Sequence, residues 1–397
     1  MLIFLGLLVF VTAGQPAFAK KNAAGGLEAA VADLCDRKVI LLGEDATHSG
    51  GQTLEVKARL VQRLVDECGF KAVLFESQIY DFLDLHRSFR QGTAQQAQVA
   101  AAIGGLWSDS AQAEALVAFL FDRARNGRVH LQGLDPQVGG RTQTYTREKL
   151  AAQLASVLEE PTRRSCESTL HRHFNWQYDD ATPYDASEQA QLLKCGQDIL
   201  RRSTETSDTD GITHWMAENL VEYLHLSADQ SPAASFNRRD QAMFRNLVRH
   251  LERLPRRSKV IVWCATIHAA KTLQGVRDGI VPFGFLVARK YGKYAHSVGF
   301  SAATGSFGRP GKPSVELLQA AADSLEVRSR ATDAAELVYL DQAALRTLSP
   351  TTARLLDYNK VDFADWASLL DSAIVLREEQ PHAIPSARRS ATSRPLK

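Results

Sequence analysis

The sequence predicts an α/β protein in which a mainly parallel sheet is flanked by helices. Short apolar runs without polar alternation are separated by segments of helical periodicity, and the two patterns alternate along the chain. Apolar runs of this kind are typical of parallel strands that are covered on both faces. Polar residues follow four of these runs where the strands end. Because ligands bind at the carboxyl ends of parallel strands, we expect the functional site at that edge of the sheet.

The first strand–helix–strand unit lies between residues 38 and 76. "KVILL" reads as a buried strand, and "TLEVKARLVQRLVDECGF" follows with apolar residues such as Leu54 and Val61 at helical spacing. Gly69 is placed to end this helix in a left-handed conformation. "KAVLFE" then repeats the strand pattern and ends at Glu76. This order predicts a βαβ unit.

The same pattern recurs further along the chain. A helix over residues 111–126 leads into "RVHLQGLD", and a helix over 239–254 leads into "KVIVWCATIH". The runs "HSVGFSA" and "SAIVLRE" follow as further strands. Four strand ends carry polar clusters, namely Glu44 with Asp45 and His48, then Glu76, then Asp135 with Gln137, and finally Thr266 with His268. Their convergence at one sheet edge is the main functional signal of the sequence.

Between residues 142 and 235 the strand pattern disappears, and helices joined by polar loops are predicted. This stretch is rich in aromatic and histidine residues, namely His171, His173, Phe174, Trp176, Tyr178 and Tyr184. We interpret it as a helical insertion that covers the carboxyl ends of the strands like a lid. A second packing layer without substrate contact is the alternative.

The two ends of the chain have their own signatures. Residues 1–19 combine a short apolar run with an Ala-Phe-Ala ending, which predicts a signal peptide, and a membrane anchor is the alternative. We therefore expect an exported protein, periplasmic or secreted, with one α/β domain over residues 20–380 and no membrane span in the mature chain. Residues 381–397 are polar, proline-bearing and basic, and are expected to be a disordered tail.

Charge and cysteine content narrow the class further. The net charge of +2, from 47 basic and 45 acidic residues, does not favour nucleic acid as a partner. Five cysteines in an exported chain allow two disulfides, and we favour the pairs Cys35–Cys68 and Cys166–Cys195. Cys264 lies in an apolar run and is expected to be a small buried side chain that fills space in the core. The oligomeric state is left open.

Familiar catalytic signatures are missing from the sequence. It contains no HExxH, no strand followed by GxGxxG, and no GxSxG elbow. "GSFGRPGKPS" resembles a phosphate-binding loop only in composition. Because the sequence has neither a nucleophile elbow nor a metal-binding motif, a site here would most naturally activate water with histidine and carboxylates.

Several segments carry a resemblance to a known family. Six segments are similar, in order and spacing, to the erythromycin esterase-like family. They are "LLGEDATHSG", "KARLVQRLVDECGFKAVLFE", "LQGLDPQ", "NRRDQAMFRNLVRHLE", "KVIVWCATIHAAK" and "FGFLVARKYGKYAHSVGFSAATGSF". The resemblance covers residues 38–307. It implies an α/β hydrolase whose motif histidine acts as a general base on water that attacks an ester or lactone.

Carried over residue by residue, the resemblance implies a set of roles. The catalytic residues would be His48, Glu44, Asp45, Glu76, His268 and Arg59. The substrate-binding residues would be Asp135, Gln137, Arg239, Asp240 and Thr266. No metal ligand and no cofactor are implied. In structural terms Glu44, Asp45 and Asp240 could instead cap helices, Asp135 could belong to an Asp-Pro turn, and Arg59 could form a structural ion pair.

The chain departs from the family pattern at two places. The family glutamate lies three residues before the histidine, whereas here Glu44 lies four and Asp45 three before His48. Which carboxylate orients the histidine is therefore open. Ala265 and Thr266 stand where the family has histidine and asparagine, which makes a macrolide substrate less favoured.

These observations predict an exported esterase-like hydrolase for an ester or lactone of a small molecule. One alternative uses the same cleft for a divalent metal, as a metal-dependent hydrolase or a metal- or haem-binding protein. The other alternative is a non-catalytic binding protein that lost activity when Ala265 replaced the histidine.

Overall fold

A computed structural model describes residues 24–139, 144–205, 211–226, 231–330 and 335–385. Its main feature is a sheet of nine strands among the described residues, eight of them in the order β1-β8-β11-β6-β2-β5-β3-β4, with β7 paired to β6. A separate pair, β9 and β10, forms a small second sheet. The strands are β1 Ala24–Gly25, β2 Val39–Leu42, β3 Ala72–Gln78, β4 His130–Asp135, β5 Val260–Trp263, β6 Ala295–Phe307, β7 Val315–Glu316, β8 Leu337–Leu340, β9 Thr351–Ala353, β10 Asp362–Ala364 and β11 Ser372–Glu379.

The helices lie on both faces of the sheet. They are α1 Leu27–Leu34, α2 Gly51–Cys68, α3 Ile79–Gln91, α4 Gln96–Ile103, α5 Glu114–Arg125, α6 Thr144–Glu148, α7 Leu150–Ala155, α8 Thr162–Phe174, α9 Ala186–Glu205, α10 Ile212–Leu226, α11 Pro232–Arg253, α12 Thr266–Ala269, α13 Phe283–Tyr291, α14 Leu325–Arg330, α15 Gln342–Leu348 and α16 Trp366–Leu369.

The central strands are parallel, as the sequence predicted. β2 pairs in parallel with β5 and β6, β3 pairs in parallel with β4 and β5, and β11 pairs in parallel with β6. The antiparallel strands β8 and β1 extend the sheet beyond β11. The predicted fold class, a mainly parallel sheet flanked by helices, is therefore confirmed.

Alternate residues of β2 face the two helical layers. Ile40 and Leu42 belong to the core beneath α1, α2 and α5, while Val39 and Leu41 belong to the core beneath α11 and α13. All four side chains are fully buried. This two-sided burial explains why the strand sequences show apolar runs rather than alternation.

Helix α2 begins at Gly51 without a capping side chain of its own. Glu379, at the end of β11, supplies one instead, because its Oε1 accepts hydrogen bonds from the backbone amides of Gln52 at 2.7 Å and Thr53 at 3.1 Å. A carboxylate at a helix N-terminus satisfies free amides and complements the helix dipole. At the other end Gly69 adopts a left-handed φ of +71°, as predicted for a helix stop.

The predicted insertion is helical in its described residues. α6 to α10 form a hydrophobic core of their own that also contains Ile79, Tyr80 and Leu83 of α3. The insertion therefore packs on the helix that follows β3, close to the carboxyl edge of the sheet. Tyr223 of α10 reaches the cleft at that edge.

Two disulfides join Cys35 to Cys68 and Cys166 to Cys195, which confirms both predicted pairs. The first links the end of α1 to the end of α2, and the second links α8 to α9 within the insertion. Cys264 is buried, as expected for a side chain that fills space in the core. Burial raises the pKa of its thiol well above the usual value.

The start of the predicted tail is held by hydrogen bonds. Pro381 forms a bridge with Gly50, and Ala383 accepts a hydrogen bond from the Ala111 amide at 2.9 Å. The expected disorder therefore does not apply to residues 381–385, while 386–397 lie outside the described residues. The predicted signal peptide, residues 1–19, also lies outside them. No helix in the described parts of the chain is long and apolar enough to cross a membrane.

A buried histidine should make the fold sensitive to acid. Burial, followed by the neighbouring His86 and His130, lowers the pKa of His250 from 6.5 to about 3. The unfolded chain then binds a proton that the folded chain does not, so the stability falls as the pH decreases from 6.5 towards 3. We expect His250→Leu to reduce this slope by about 1.4 kcal/mol per pH unit, measured by urea unfolding between pH 4.5 and 6.5. The exposed His171→Leu serves as the control. If His250→Leu left the slope of the free energy of unfolding against pH unchanged, His250 would not cause the acid sensitivity.

Candidate active site

A cleft of about 880 Å³ lies at the carboxyl ends of β3, β4 and β5 and beside the turn that follows β2. Six of the predicted site residues line it, namely His48, Glu76, Asp135, Gln137, Arg239 and His268. Ala265, which stands in place of the family histidine, also lines it. The predicted convergence of strand ends is therefore realised in the fold.

Glu44 orients His48. The Oε1 atom of Glu44 lies 2.8 Å from His48 Nδ1 and accepts a second hydrogen bond from Trp107 Nε1 at 2.7 Å. An ionised carboxylate only accepts hydrogen bonds, so Nδ1 of His48 carries the proton. This tautomer leaves Nε2 as the acceptor atom of a ring that lines the cleft.

Lys57 neutralises Glu44 inside the protein. The Lys57 ammonium is fully buried, lies 3.0 Å from Glu44 Oε2, and sits 4.1 Å from the centre of the Trp263 ring. Burial by itself would raise the pKa of Glu44, but the Lys57 charge and the His48 hydrogen bond outweigh it and lower that pKa. Burial lowers the pKa of Lys57 more than Glu44 raises it.

Asp45 has a different task from Glu44. Its Oδ2 accepts hydrogen bonds from the amide, at 3.1 Å, and from the hydroxyl of Thr47, and its Oδ1 accepts from the Tyr358 amide at 2.8 Å. Asp45 therefore fixes the turn rather than the histidine ring. The turn ends in a left-handed conformation at His48, with φ of +53°. The choice that the sequence left open is resolved in favour of Glu44.

Gly43 allows the end of β2 to lie close to its neighbours. A side chain there would place Cβ 2.5 Å from Thr266 Oγ1 and 2.8 Å from the carbonyl oxygen of Val298. Without one, the carbonyl oxygen of Glu44 accepts a 2.7 Å hydrogen bond from the Thr266 amide. This contact joins the first motif to α12, which carries His268.

A second charged cluster forms the opposite part of the site. Arg239 Nη2 donates to Glu76 Oε1 at 2.9 Å and to Asp135 Oδ2 at 2.7 Å. Glu76 Oε2 also accepts from the Ala265 amide at 2.8 Å. Burial would raise the pKa of Glu76, but His268 and Arg239 outweigh it and hold that pKa well below the usual value.

His268 lies between two carboxylates. Its Nδ1 is 2.7 Å from Asp240 Oδ1, its Nε2 is 3.1 Å from Glu76 Oε1, and its ring stacks on Phe236 at 4.8 Å. Burial would lower the pKa of His268, but Asp240 and Glu76 raise it to about 10. At neutral pH the ring is therefore an imidazolium. Arg239 Nη1 also lies 3.1 Å from His268 Nε2.

Two further predicted residues, Arg59 and Thr266, lie differently from what the resemblance implied, whereas Gln137 lies in the cleft. Arg59 is not part of the cluster, because its half-exposed guanidinium pairs with Glu336 at 3.2 Å on the protein surface. Thr266 is buried and does not line the cleft, and among the described residues its hydroxyl has no hydrogen-bond partner. Gln137 lines the cleft with an exposed side chain, and its amide donates to Asp135 Oδ1 at 3.0 Å.

Lys57 and Trp107 were not among the predicted site residues. Lys57 carried a signal, because it lies three residues after Leu54 and four before Val61, on the apolar face of α2. A lysine at such a position needs a buried partner. Trp107 lies in a short loop after α4, and nothing in its sequence context indicated that it would bind Glu44.

The charged groups do not form a metal site as they stand. Among the described residues, no group of three or more His, Cys, Asp or Glu side chains could hold a metal ion. The Glu44 and Glu76 carboxylates already contact cations and N–H donors on both oxygens.

The fold and the site together define an α/β protein whose cleft combines an oriented histidine with buried carboxylate–cation clusters. The sequence model of the erythromycin esterase family matches residues 65–368. The chain therefore belongs to the erythromycin esterase family, which supports a hydrolase of the esterase type. The match begins after Glu44 and His48, so the first motif lies before it.

Solved structures share the fold at low sequence identity. A succinoglycan biosynthesis protein aligns with a TM-score of 0.69 at 15% identity, covering 91% of this chain and 93% of its own. A Bacillus cereus protein aligns at 0.65 and 16% identity, covering 92% and 95%. A mutant of the erythromycin esterase EreC in its open conformation aligns at 0.61 and 15%, covering 88% and 93%.

Removing the Lys57 charge should destabilise the protein strongly. In Lys57→Met the Glu44 carboxylate stays buried without its cation, and we expect a loss of about 3–5 kcal/mol in the free energy of unfolding. Arg59→Met, two residues along the same helix, removes an exposed ion pair and should cost about 0–1 kcal/mol. Urea unfolding of both variants measures the difference. Equal losses would mean that Lys57 is not the main stabiliser of Glu44.

Proposed function

We propose that the protein is an exported hydrolase that uses His48 as a general base to activate water against an ester or lactone of a small molecule. The observation that carries this proposal is the contact of His48 Nδ1 with the buried Glu44 carboxylate, in a ring that lines the cleft. A neutral imidazole held in one tautomer by a carboxylate is suited to take a proton from water.

The reaction follows from the placement of the two clusters. His48 Nε2 takes a proton from water as the oxygen attacks the carbonyl carbon, and Glu44 stabilises the imidazolium that forms. Arg239 and the charged His268 line the same cleft and stabilise the negative charge that develops on the carbonyl oxygen. The imidazolium then returns its proton to the leaving alkoxide, so that a carboxylic acid and an alcohol are released. The proposal requires neither a covalent intermediate nor a cofactor.

Ala265 does not interrupt the second cluster. Glu76 contacts the backbone amide of Ala265 rather than a side chain, and its other oxygen contacts Arg239 and His268. The cluster is thus complete without a histidine at this position, which favours an enzyme over a binding protein that lost activity. The small side chain leaves space in the cleft beside Glu76, so the substrate would differ from that of relatives with a histidine there.

Two features support export. The chain contains two disulfides, and structural disulfides persist mainly in oxidising compartments. The apolar stretch at residues 1–19 fits a signal peptide.

Removing the base should abolish most of the activity. We expect His48→Ala to lower kcat about 10²- to 10⁴-fold on any ester that the protein cleaves, because proton removal from water then has no catalyst. Glu44→Gln should lower kcat as well, since an amide can present its N–H to His48 Nδ1 and favour the other tautomer. Arg59→Ala is the control and should leave kcat unchanged. A panel of aryl and alkyl esters provides the assay, and full activity of His48→Ala would refute the proposal.

Deprotonation of His268 should lower kcat/KM at alkaline pH. Its pKa of about 10 means that the positive charge is present at neutral pH and is lost as the pH rises through 10. We expect kcat/KM of the wild type to fall above pH 9, and His268→Gln to show a lower value without that fall. The exposed His171→Gln should keep the wild-type profile. A fall that persists in folded His268→Gln would mean that another group causes it.

A further inference from the structure

The helical insertion carries a cluster of aromatic rings that the proposed chemistry does not use. His173, Trp176, Tyr178, Tyr184 and Tyr223 form a continuous group, called here the aromatic wall. Neighbouring ring centres lie 5.1 Å apart for Tyr178 and Tyr184, and 6.0 Å apart for His173 and Tyr178. Contacts of this length hold the rings in fixed relative positions.

One end of the aromatic wall lies in the cleft. Tyr223 lines the cleft together with Asp135 and Arg239, and its ring centre is 5.7 Å from that of His173. Burial, then the neighbouring Tyr184 and Asp135, raise the pKa of Tyr223 to about 12. The hydroxyl of Tyr223 is therefore protonated and can donate a hydrogen bond to a ligand in the cleft.

The other end lies in solvent. Trp176 is 63% exposed, although tryptophan is on average a largely buried residue. Its backbone has a left-handed φ of +48°, and its amide is fixed by the carbonyl oxygen of His173 at 3.1 Å. A non-glycine residue in this conformation is uncommon. The turn after α8 thus holds a large indole ring in water, against Tyr178 and Tyr184.

The polar edges of the aromatic wall indicate the class of ligand. The Tyr178 hydroxyl donates to Glu188 Oε1 at 3.2 Å, and Arg172 Nη2 binds both oxygens of Glu188, at 2.8 and 3.0 Å. Apolar ring faces are therefore bordered by hydroxyl, carboxylate and guanidinium groups. A sugar ring has the matching pattern, with C–H bonds on its faces and hydroxyls at its edge. Tyr223, at the cleft end of the wall, adds a hydroxyl that a sugar can bind and a flat hydrocarbon group cannot.

We infer that the aromatic wall is a subsite for a sugar ring, and that the substrate is an ester carried by a carbohydrate. The ester part rests on the function proposed above. The scissile bond lies beside His48 in the cleft, and the sugar extends past Tyr223 towards Trp176. The water-derived oxygen stays on the released acid, while the sugar hydroxyl takes the proton from His48.

Kinetics on matched substrates test this inference. With mono-O-acetylated xylotetraose, which is long enough to extend from the cleft past Tyr223, we expect Trp176→Ala to raise KM about tenfold at unchanged kcat, and Trp176→Phe to restore most of the loss, by analogy with the size of other ring-stacking contacts. With ethyl acetate, which is too small to reach the wall, both variants should match the wild type. Phe363→Ala is the control, because Phe363 is 66% exposed on β10 and does not line the cleft. Equal effects of Trp176→Ala on the two esters, or no effect on either, would overturn the inference. Phenyl acetate serves as a third substrate. If Trp176→Ala weakened the cleavage of phenyl acetate alone, the wall would bind aromatic groups and the inference would be overturned.

Calorimetry separates this inference from the proposed chemistry. Wild type and the two alanine variants are titrated with cellotetraose, xylotetraose and chitotetraose. Binding of at least one sugar by wild type and Phe363→Ala, weakened about tenfold in Trp176→Ala, supports the subsite even if no ester is cleaved. Cleavage of ethyl acetate without binding of any of these sugars overturns the subsite and leaves the proposed hydrolase standing. Absence of both overturns both.

Discussion

The buried contact between Lys57 and Glu44 is the interaction on which the rest of the site depends. A carboxylate without solvent is tolerated only when a cation and hydrogen-bond donors surround it. Lys57 and Trp107 meet this requirement from two directions, so the oxygen that contacts His48 cannot move freely. Lys57 in turn lies on α2, whose first amides bind Glu379 from the far end of the chain. The orientation of one imidazole is thereby tied to packing across the whole sheet.

The two sides of the cleft differ in how they hold charge. On one side His48 contacts a carboxylate whose charge Lys57 already compensates. On the other side Glu76, Asp135 and Asp240 surround Arg239 and the charged His268, which fixes positive charge beside the cleft. In the proposed function, His48 would supply the base that activates water and the fixed positive charge would stabilise the oxyanion.

The sequence predicted those parts of the site that depend on local pattern. Glu44, His48, Glu76 and Asp135 come directly after apolar runs, and a parallel sheet brings such positions to one edge whatever the details of packing. Whether Lys57 or Arg59 contacts Glu44 depends instead on the rotation of α2 about its axis. Residues two apart on a helix point about 200° apart, so a single helix rotation decides which cation meets Glu44 and which meets solvent. The apolar spacing of α2 contained that answer, whereas the resemblance pointed to Arg59.

The contact of Trp107 with Glu44 depends on how a loop folds back over the sheet, which no periodicity encodes. The antiparallel strand β8 was missed for a similar reason, since its four residues pair with β11 only in the finished sheet.

Glu44 should hold His48 with its proton on Nδ1 and leave Nε2 free for water. Nitrogen NMR on histidine-labelled protein at neutral pH tests it directly, with the His48 signals identified by their loss in His48→Ala. We expect a protonated Nδ1 and an unprotonated Nε2 for this ring. A ring with the proton on Nε2 and a bare Nδ1 would overturn this assignment, because Nδ1 could then not donate to Glu44 and the unprotonated nitrogen would face that carboxylate instead of water.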